Sequence, residues 1–193
     1  AKLIVIDPRE IELVQYATVW LRLKGGTNVA LINGLLHVIL KEGLENKEFI
    51  QQRTENIDML RQVVTQYTPE RVEDITGVPK EDIIKAARIY AGTKKGMIVY
   101  GLGMTEHKAG SHGVMSLANL ALITGNVGRP KTRINPRRGQ NNRQGSCDMG
   151  ALPDVYTCYQ KVDDPVVNKK FSEAWGCQLP AKPGLKEPQM YRE

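Results

Sequence analysis

Apolar residues recur along the chain in blocks whose length and spacing separate strands from helices. Leu3–Ile6 is an unbroken apolar run of strand length, and Thr18–Leu23 alternates weakly, so both are predicted strands. Asn28–Leu40 is almost continuously apolar and too long for a typical strand. Thr27 stands before it as a candidate cap and Gly43 ends it, which predicts a helix buried on most sides. Gly34 inside that helix predicts close packing against a neighbour. Asn46–Thr54 and Ile57–Tyr67 read as shorter amphipathic helices. Pro79 opens another, with Glu81 and Asp82 in its first turn, where the helix dipole favours acids. Met97–Tyr100 is the next strand, cut off by Gly101, and Ser111 is predicted to cap a helix that runs to Gly125.

Strands alternating with helices over short connections predict an α/β fold. The expected architecture is a partial doubly wound, Rossmann-like parallel sheet with flanking helices, followed by the loop-rich start of a second domain. From about Ile134 the periodicity fades, apart from one short helix near Val166–Trp175. The boundary is placed near Thr132–Arg138, dividing the chain into 1–133 and 134–193. The chain enters a core strand almost at once, without an initiator Met, which is expected of a piece of a longer polypeptide.

Charge changes the picture by its position. The chain carries 27 Lys and Arg against 21 Asp and Glu, a net charge of +6. No acid occurs between His107 and Cys147, a stretch holding Lys108, Arg129, Lys131, Arg133, Arg137, Arg138 and Arg143. Glycines, prolines and amides interleave these bases, so the segment around Arg129–Pro136 is predicted to be a loop. An acid-free arginine loop suits anions, because guanidinium binds carboxylate or phosphate through two parallel hydrogen bonds. Nucleic acid is not the expected partner, since the loop lacks aromatic residues on which bases could stack. No apolar run reaches the roughly 18 residues a membrane span needs. Cys147, Cys158 and Cys177 are odd in number and widely spaced, the pattern of reduced thiols in a cytoplasmic protein rather than of a metal site.

Parallel sheets bind ligands beyond the carboxyl ends of their strands. Two predicted loops stand there: Asp7-Pro8-Arg9, and Gly101-Leu102-Gly103-Met104-Thr105-Glu106. The second begins like a dinucleotide fingerprint but has Glu106 where a third glycine belongs. His37 reads as a core histidine. His107 and His112 lie five apart, which does not suit a helical metal pair, and His107 adjoins the second loop.

The segment from Asn135 to Pro153 has the pattern N-P-x-R-G-Q-N-N-x-Q-G-x-x-D-M-G-x-x-P. With Asp7-Pro8-Arg9, Gly25-Gly26-Thr27-Asn28, Gly101-x-Gly103-x-Thr105 and Thr124-Gly125-Asn126-x-Gly128-x-Pro130, the chain resembles the catalytic subunit of formate dehydrogenases among the molybdopterin guanine dinucleotide oxidoreductases. The resemblance implies oxidation of formate to carbon dioxide at molybdenum or tungsten held by molybdopterin guanine dinucleotide. A 4Fe–4S cluster outside this chain would then carry the electrons away. It implies that residues 1–133 are part of the guanine-dinucleotide-binding domain. Arg138 becomes the arginine that receives the formate carboxylate; Arg137 is adjacent and equally charged, but the motif selects the arginine directly before Gly139. Gln140 is implied in the cofactor and active-site shell. Asp7 and Arg9 border the nucleotide, Asn28 reads the guanine edge, and Leu102, Gly103 and Glu106 form a loop passing the cofactor.

Two positions depart from the family pattern. Glu106 stands where Gln is common and Arg133 where Gly is usual. The family's metal-binding Cys or selenocysteine followed by His, its four-Cys cluster motif and its C-terminal domain have no counterpart here. The expected partners are therefore formate, the remainder of the parent chain and electron-transfer subunits, and this segment alone is expected to be inactive. Two other readings stay open: the same cofactor acting on another small oxyanion, and a nucleotide-binding module without redox chemistry.

Overall fold

A computed structural model describes residues 1–191. In chain order its elements are strand β1 (Ile4–Ile6), a 3-10 helix (Glu12–Tyr16), β2 (Val19–Leu21), helices α1 (Asn28–Lys41), α2 (Lys47–Arg53), α3 (Ile57–Thr65), α4 (Pro69–Thr76) and α5 (Lys80–Ala91), β3 (Met97–Tyr100), α6 (Leu102–Thr105), α7 (Gly110–Ile123), β4 (Arg133–Pro136), α8 (Arg143–Asp148), β5 (Val155–Tyr156), β6 (Gln160–Lys161), α9 (Pro165–Trp175) and α10 (Glu187–Met190). The protein is mixed α/β. β1 pairs with β2 and β3 with β4, both in parallel, and helices flank them. No helix of the described residues is long and apolar enough to cross a membrane.

The chain forms two compact units, dividing between Arg137 and Arg138. In the first, α1 is the central element. Every residue from Leu31 to Leu40 is buried, and α3, α4, α5 and α7 surround it. That all-round apolar surface is what the sequence demanded of this helix. Gly34 is a close approach between α1 and α4. A Cβ there would lie 2.9 Å from a methyl of Val72, which is itself fully buried on α4. Gly34→Ala is therefore expected to destabilise the protein by about 1–2 kcal/mol, because overpacking outweighs the roughly 1 kcal/mol gained in helix propensity. Urea unfolding measures this, and adding Val72→Ala should recover part of the loss.

Three differences from the sequence reading have local causes. Helix α4 was not expected, although its signals are complete: Thr68 accepts from the Arg71 N–H, Pro69 occupies the first turn and Gly77 closes it at φ 76°. Ser111 does not cap α7. The helix starts at Gly110, pressed so tightly against the Thr105 carbonyl that a side chain has no room there, and Ala109 holds the cap position. Arg133–Pro136 is not loop but strand β4, in register with β3 from Met97↔Arg133 to Tyr100↔Pro136. The Arg137 N–H continues that ladder to the Tyr100 carbonyl at 2.7 Å. Its composition is that of a turn, and the partner strand supplies the extended conformation.

The T-G-N segment clasps the end of α7 to the start of β3. Asn126 is fully buried, its side-chain oxygen accepting from the Gly96 N–H at 3.0 Å and its amide donating to Thr124 Oγ1 at 3.1 Å. His37 lies in the core, its Nδ1 donating to the Val64 carbonyl at 2.9 Å.

The second unit packs around Tyr156, Phe171 and Trp175, whose rings lie 4.7–5.9 Å apart. Asp164 caps α9 by accepting from the Val166 and Val167 N–H groups, and Gly176 ends it at φ 67°. The strands β5 and β6 form a small antiparallel hairpin. Helix α9 is the one expected near Val166–Trp175, whereas β5, β6, α8 and α10 lie where the sequence periodicity had faded.

Candidate functional site

In the first unit Asp7 and Arg9 follow β1, Leu102, Gly103 and Glu106 follow β3, and Asn28 opens α1. Asp7 Oδ1 accepts from the Arg9 N–H at 2.8 Å, so the D-P-R turn is braced by its own carboxylate. β2 holds this turn from the side. Trp20 Nε1 donates to the Asp7 carbonyl at 2.9 Å and Arg22 Nε to the Pro8 carbonyl at 3.2 Å. The Arg22 guanidinium also lies 5.3 Å from the centre of the Trp20 ring. Arg9 and Arg22 are exposed, and Arg22 is a candidate anion contact that the sequence reading missed. Its position two residues after Trp20 on a strand end was the available signal.

The second loop is tied to the first turn of α1. Asn28 Nδ2 donates to the Gly103 carbonyl at 3.0 Å, across 75 residues of sequence. His107 Nε2 donates to the same carbonyl at 2.7 Å. One oxygen with two lone pairs thus joins α1, α6 and the segment after α6. Asn28 and Gly103, both proposed from sequence, are brought together. Leu102 and Glu106 are exposed beside them, and Glu106 makes no ion pair among the described residues.

These residues fit a polyanionic dinucleotide. A Cβ added at Gly25, Gly26 or Gly103 would meet nothing within 4 Å, so backbone is open just before α1 and in the Gly101–Glu106 loop. The first turn of α1 presents N–H groups that have no acceptor within the helix. Asn28 retains an amide hydrogen and its carbonyl oxygen for a purine edge, since it makes no second hydrogen bond among the described residues. The carboxylate of Glu106, exposed and without an ion pair among the described residues, does not suit phosphate.

The second unit carries the arginine motif. Arg138 is exposed, and its Nη2 donates to Gln144 Oε1 at 2.9 Å. Gln144 Nε2 donates in turn to Asp148 Oδ1 at 2.8 Å and to the Tyr159 hydroxyl at 3.0 Å. Gln140 is exposed, and its side chain takes no part in this network. Desolvation, followed by the hydrogen bond and charge of Asp148, pushes the Tyr159 hydroxyl above the ordinary tyrosine range. Gln144 and Tyr159 were missed in the sequence, Gln144 although it lies within the motif. The three cysteines form no disulfide, and no three His, Cys, Asp or Glu side chains gather as a metal site among the described residues.

The family model described as molybdopterin oxidoreductase matches residues 1–191. Formate dehydrogenase H of Escherichia coli (strain K12) is 50% identical over 187 residues, covering 96% of this chain and 26% of that protein. The F420-dependent formate dehydrogenase subunit alpha of Methanocaldococcus jannaschii is 48% identical over 193 residues, 100% of this chain and 28% of that protein. The chain thus spans about a quarter of the length of these relatives. Among solved structures, acetylene hydratase from Pelobacter acetylenicus superposes with a TM-score of 0.63 at 32% identity, over 64% of this chain and 17% of that one.

Proposed function

Because this chain belongs to the molybdopterin oxidoreductase family, we propose that it is part of an enzyme that oxidises formate to carbon dioxide, with Arg138 holding the formate carboxylate. What carries the reading is the match along nearly the whole chain to relatives named as formate dehydrogenases. The reaction releases two electrons and one proton from formate. A molybdenum or tungsten centre on molybdopterin guanine dinucleotide, when bound, supplies the two-electron acceptor, and an iron–sulfur cluster elsewhere in the enzyme takes the electrons onward.

The chain's own residues have separate tasks. Asn28 offers an amide to the guanine edge, Arg9 and Arg22 offer cations to phosphates, and the Gly101–Glu106 turn passes the nucleotide with open backbone at Gly103. Asp7 braces the turn that carries Arg9. Arg138 orients formate with two parallel N–H donors, and Gln140 lines the same site. Glu106, the acid in place of the usual Gln, is followed in sequence by the acid-free basic stretch that begins at His107.

The purified enzyme is expected to reduce an artificial electron acceptor with formate, in proportion to its molybdenum or tungsten and pterin content. Acetylene is the informative second substrate, since a structural relative is named for hydrating it. Acetylene turnover without formate turnover, in a metal-loaded preparation, would overturn the assignment while leaving the family intact.

A further inference from the structure

We infer that Gln144 is a positioning residue that fixes the plane of the Arg138 guanidinium, and that Tyr159 and Asp148 fix Gln144 in turn. The inference rests on the reading of Arg138 as the formate-binding group. A guanidinium carries five N–H donors in one plane, so binding a carboxylate through one edge leaves the plane free to turn unless another donor is tied. Nη2 of Arg138 is tied to Gln144 Oε1 at 2.9 Å.

The orientation of that amide is determined by its other end. A carboxylate only accepts, so Asp148 Oδ1 at 2.8 Å demands the nitrogen of Gln144, and the oxygen must face Arg138. Asp148 is one turn after Gln144 on α8, the i, i+4 spacing that places two side chains on one face. Tyr159 then accepts at 3.0 Å from the same nitrogen.

Tyr159 is held there at a cost. Cys158 and Tyr159 both adopt left-handed backbone, at φ 60° and 59°, and neither is glycine. The turn is held by Thr157 Oγ1 donating to the Met149 carbonyl and Gln160 Nε2 donating to the Thr157 carbonyl. Gly150 lies beneath it, with no room for a Cβ against Tyr156 and Thr157. The Q-x-x-x-D-M-G part of the motif therefore builds the support for the arginine that precedes it.

The amide also acts as a spacer. No ion pair forms between Arg138 and Asp148 among the described residues, so the guanidinium keeps its charge for an anionic substrate. A carboxylate placed directly on Arg138 would compete with formate.

The test uses the metal-loaded enzyme. Gln144→Met keeps length and removes the amide, and is expected to raise KM for formate about tenfold, the worth of one hydrogen bond to a charged group. Gln144→Glu should raise it further by competition. Tyr159→Phe, at a residue 49% exposed, should raise KM a few-fold, and should have no further effect in the Gln144→Met background. That lost additivity reports coupling through Gln144 and would not arise from a general packing role. Metal and pterin content should be unchanged in all three. If a Gln144 variant does not fold, the KM of Tyr159→Phe alone decides. Unchanged KM in these variants, with Arg138→Lys inactive, overturns the inference and leaves Arg138 in place. An Arg138→Lys enzyme with normal turnover overturns the reading on which it rests.

Discussion

Arg138→Lys is expected to lower kcat/KM for formate by two orders of magnitude or more, while metal and pterin content stay as in the wild type. Lysine keeps the positive charge and loses the fork. A carboxylate held by two parallel N–H bonds is fixed in distance and in plane, whereas an ammonium holds it as a point charge. Each bond to a charged group contributes about 1.5–3 kcal/mol, and about 1.4 kcal/mol is tenfold in rate. The loss is compounded here, because the Nη2 that meets Gln144 also disappears. Steady-state kinetics with formate and a dye acceptor measure it. A wild-type rate would move the role to Arg137, whose backbone is fastened to Tyr100 and whose side chain is exposed.

Gly150→Ala is expected to destabilise the second unit by about 2–5 kcal/mol, without altering the first. Gly150 has φ +85°, and an added Cβ would lie 2.7 Å from the Thr157 nitrogen and 2.8 Å from the Tyr156 carbonyl carbon. Both neighbours are backbone and cannot swing aside. Left-handed backbone costs a non-glycine residue about 1–2 kcal/mol, and the forced displacement adds about 1–3 kcal/mol. Displacement would reach Tyr159 through Thr157 and slacken its hold on Gln144. Hydrogen exchange should show faster exchange across α8 and the β5–β6 hairpin, with α1 and α5 unchanged. Equal protection throughout would mean that the turn can shift without cost.

Much of the first unit was legible because its signals are local. The continuous apolar run of α1, the Pro79 start of α5 and the short apolar strands β1 and β3 each need only their own residues and the periodicity of burial. Gly34 was legible as a close-packing position, though not its partner Val72, because the contact joins α1 to α4. Helix α4 carried a threonine cap, a first-turn proline and a terminal glycine, so it was readable and was passed over. In the second unit only the helix near Val166–Trp175, α9, was readable by periodicity. Its other helices and strands are short, and its aromatic cluster draws on β5 and α9, separated in sequence.

For the candidate site, the sequence by itself pointed to most of the candidate residues, though not to Arg22, Gln144 or Tyr159. The arginine motif, the D-P-R turn, Asn28 and the Gly101–Glu106 loop stand out by their residue order and by the family resemblance it carries, and neither needs a fold to be seen. Tertiary structure alone decided who holds whom. Asn28 and His107 meet on one Gly103 carbonyl, Arg133–Pro136 becomes a strand beside β3, and Gln144 joins Arg138 to Asp148 and Tyr159. A hydrogen bond needs two groups within about 3 Å and correctly aimed. Sequence supplies the groups, and only the packed chain supplies the distance and direction.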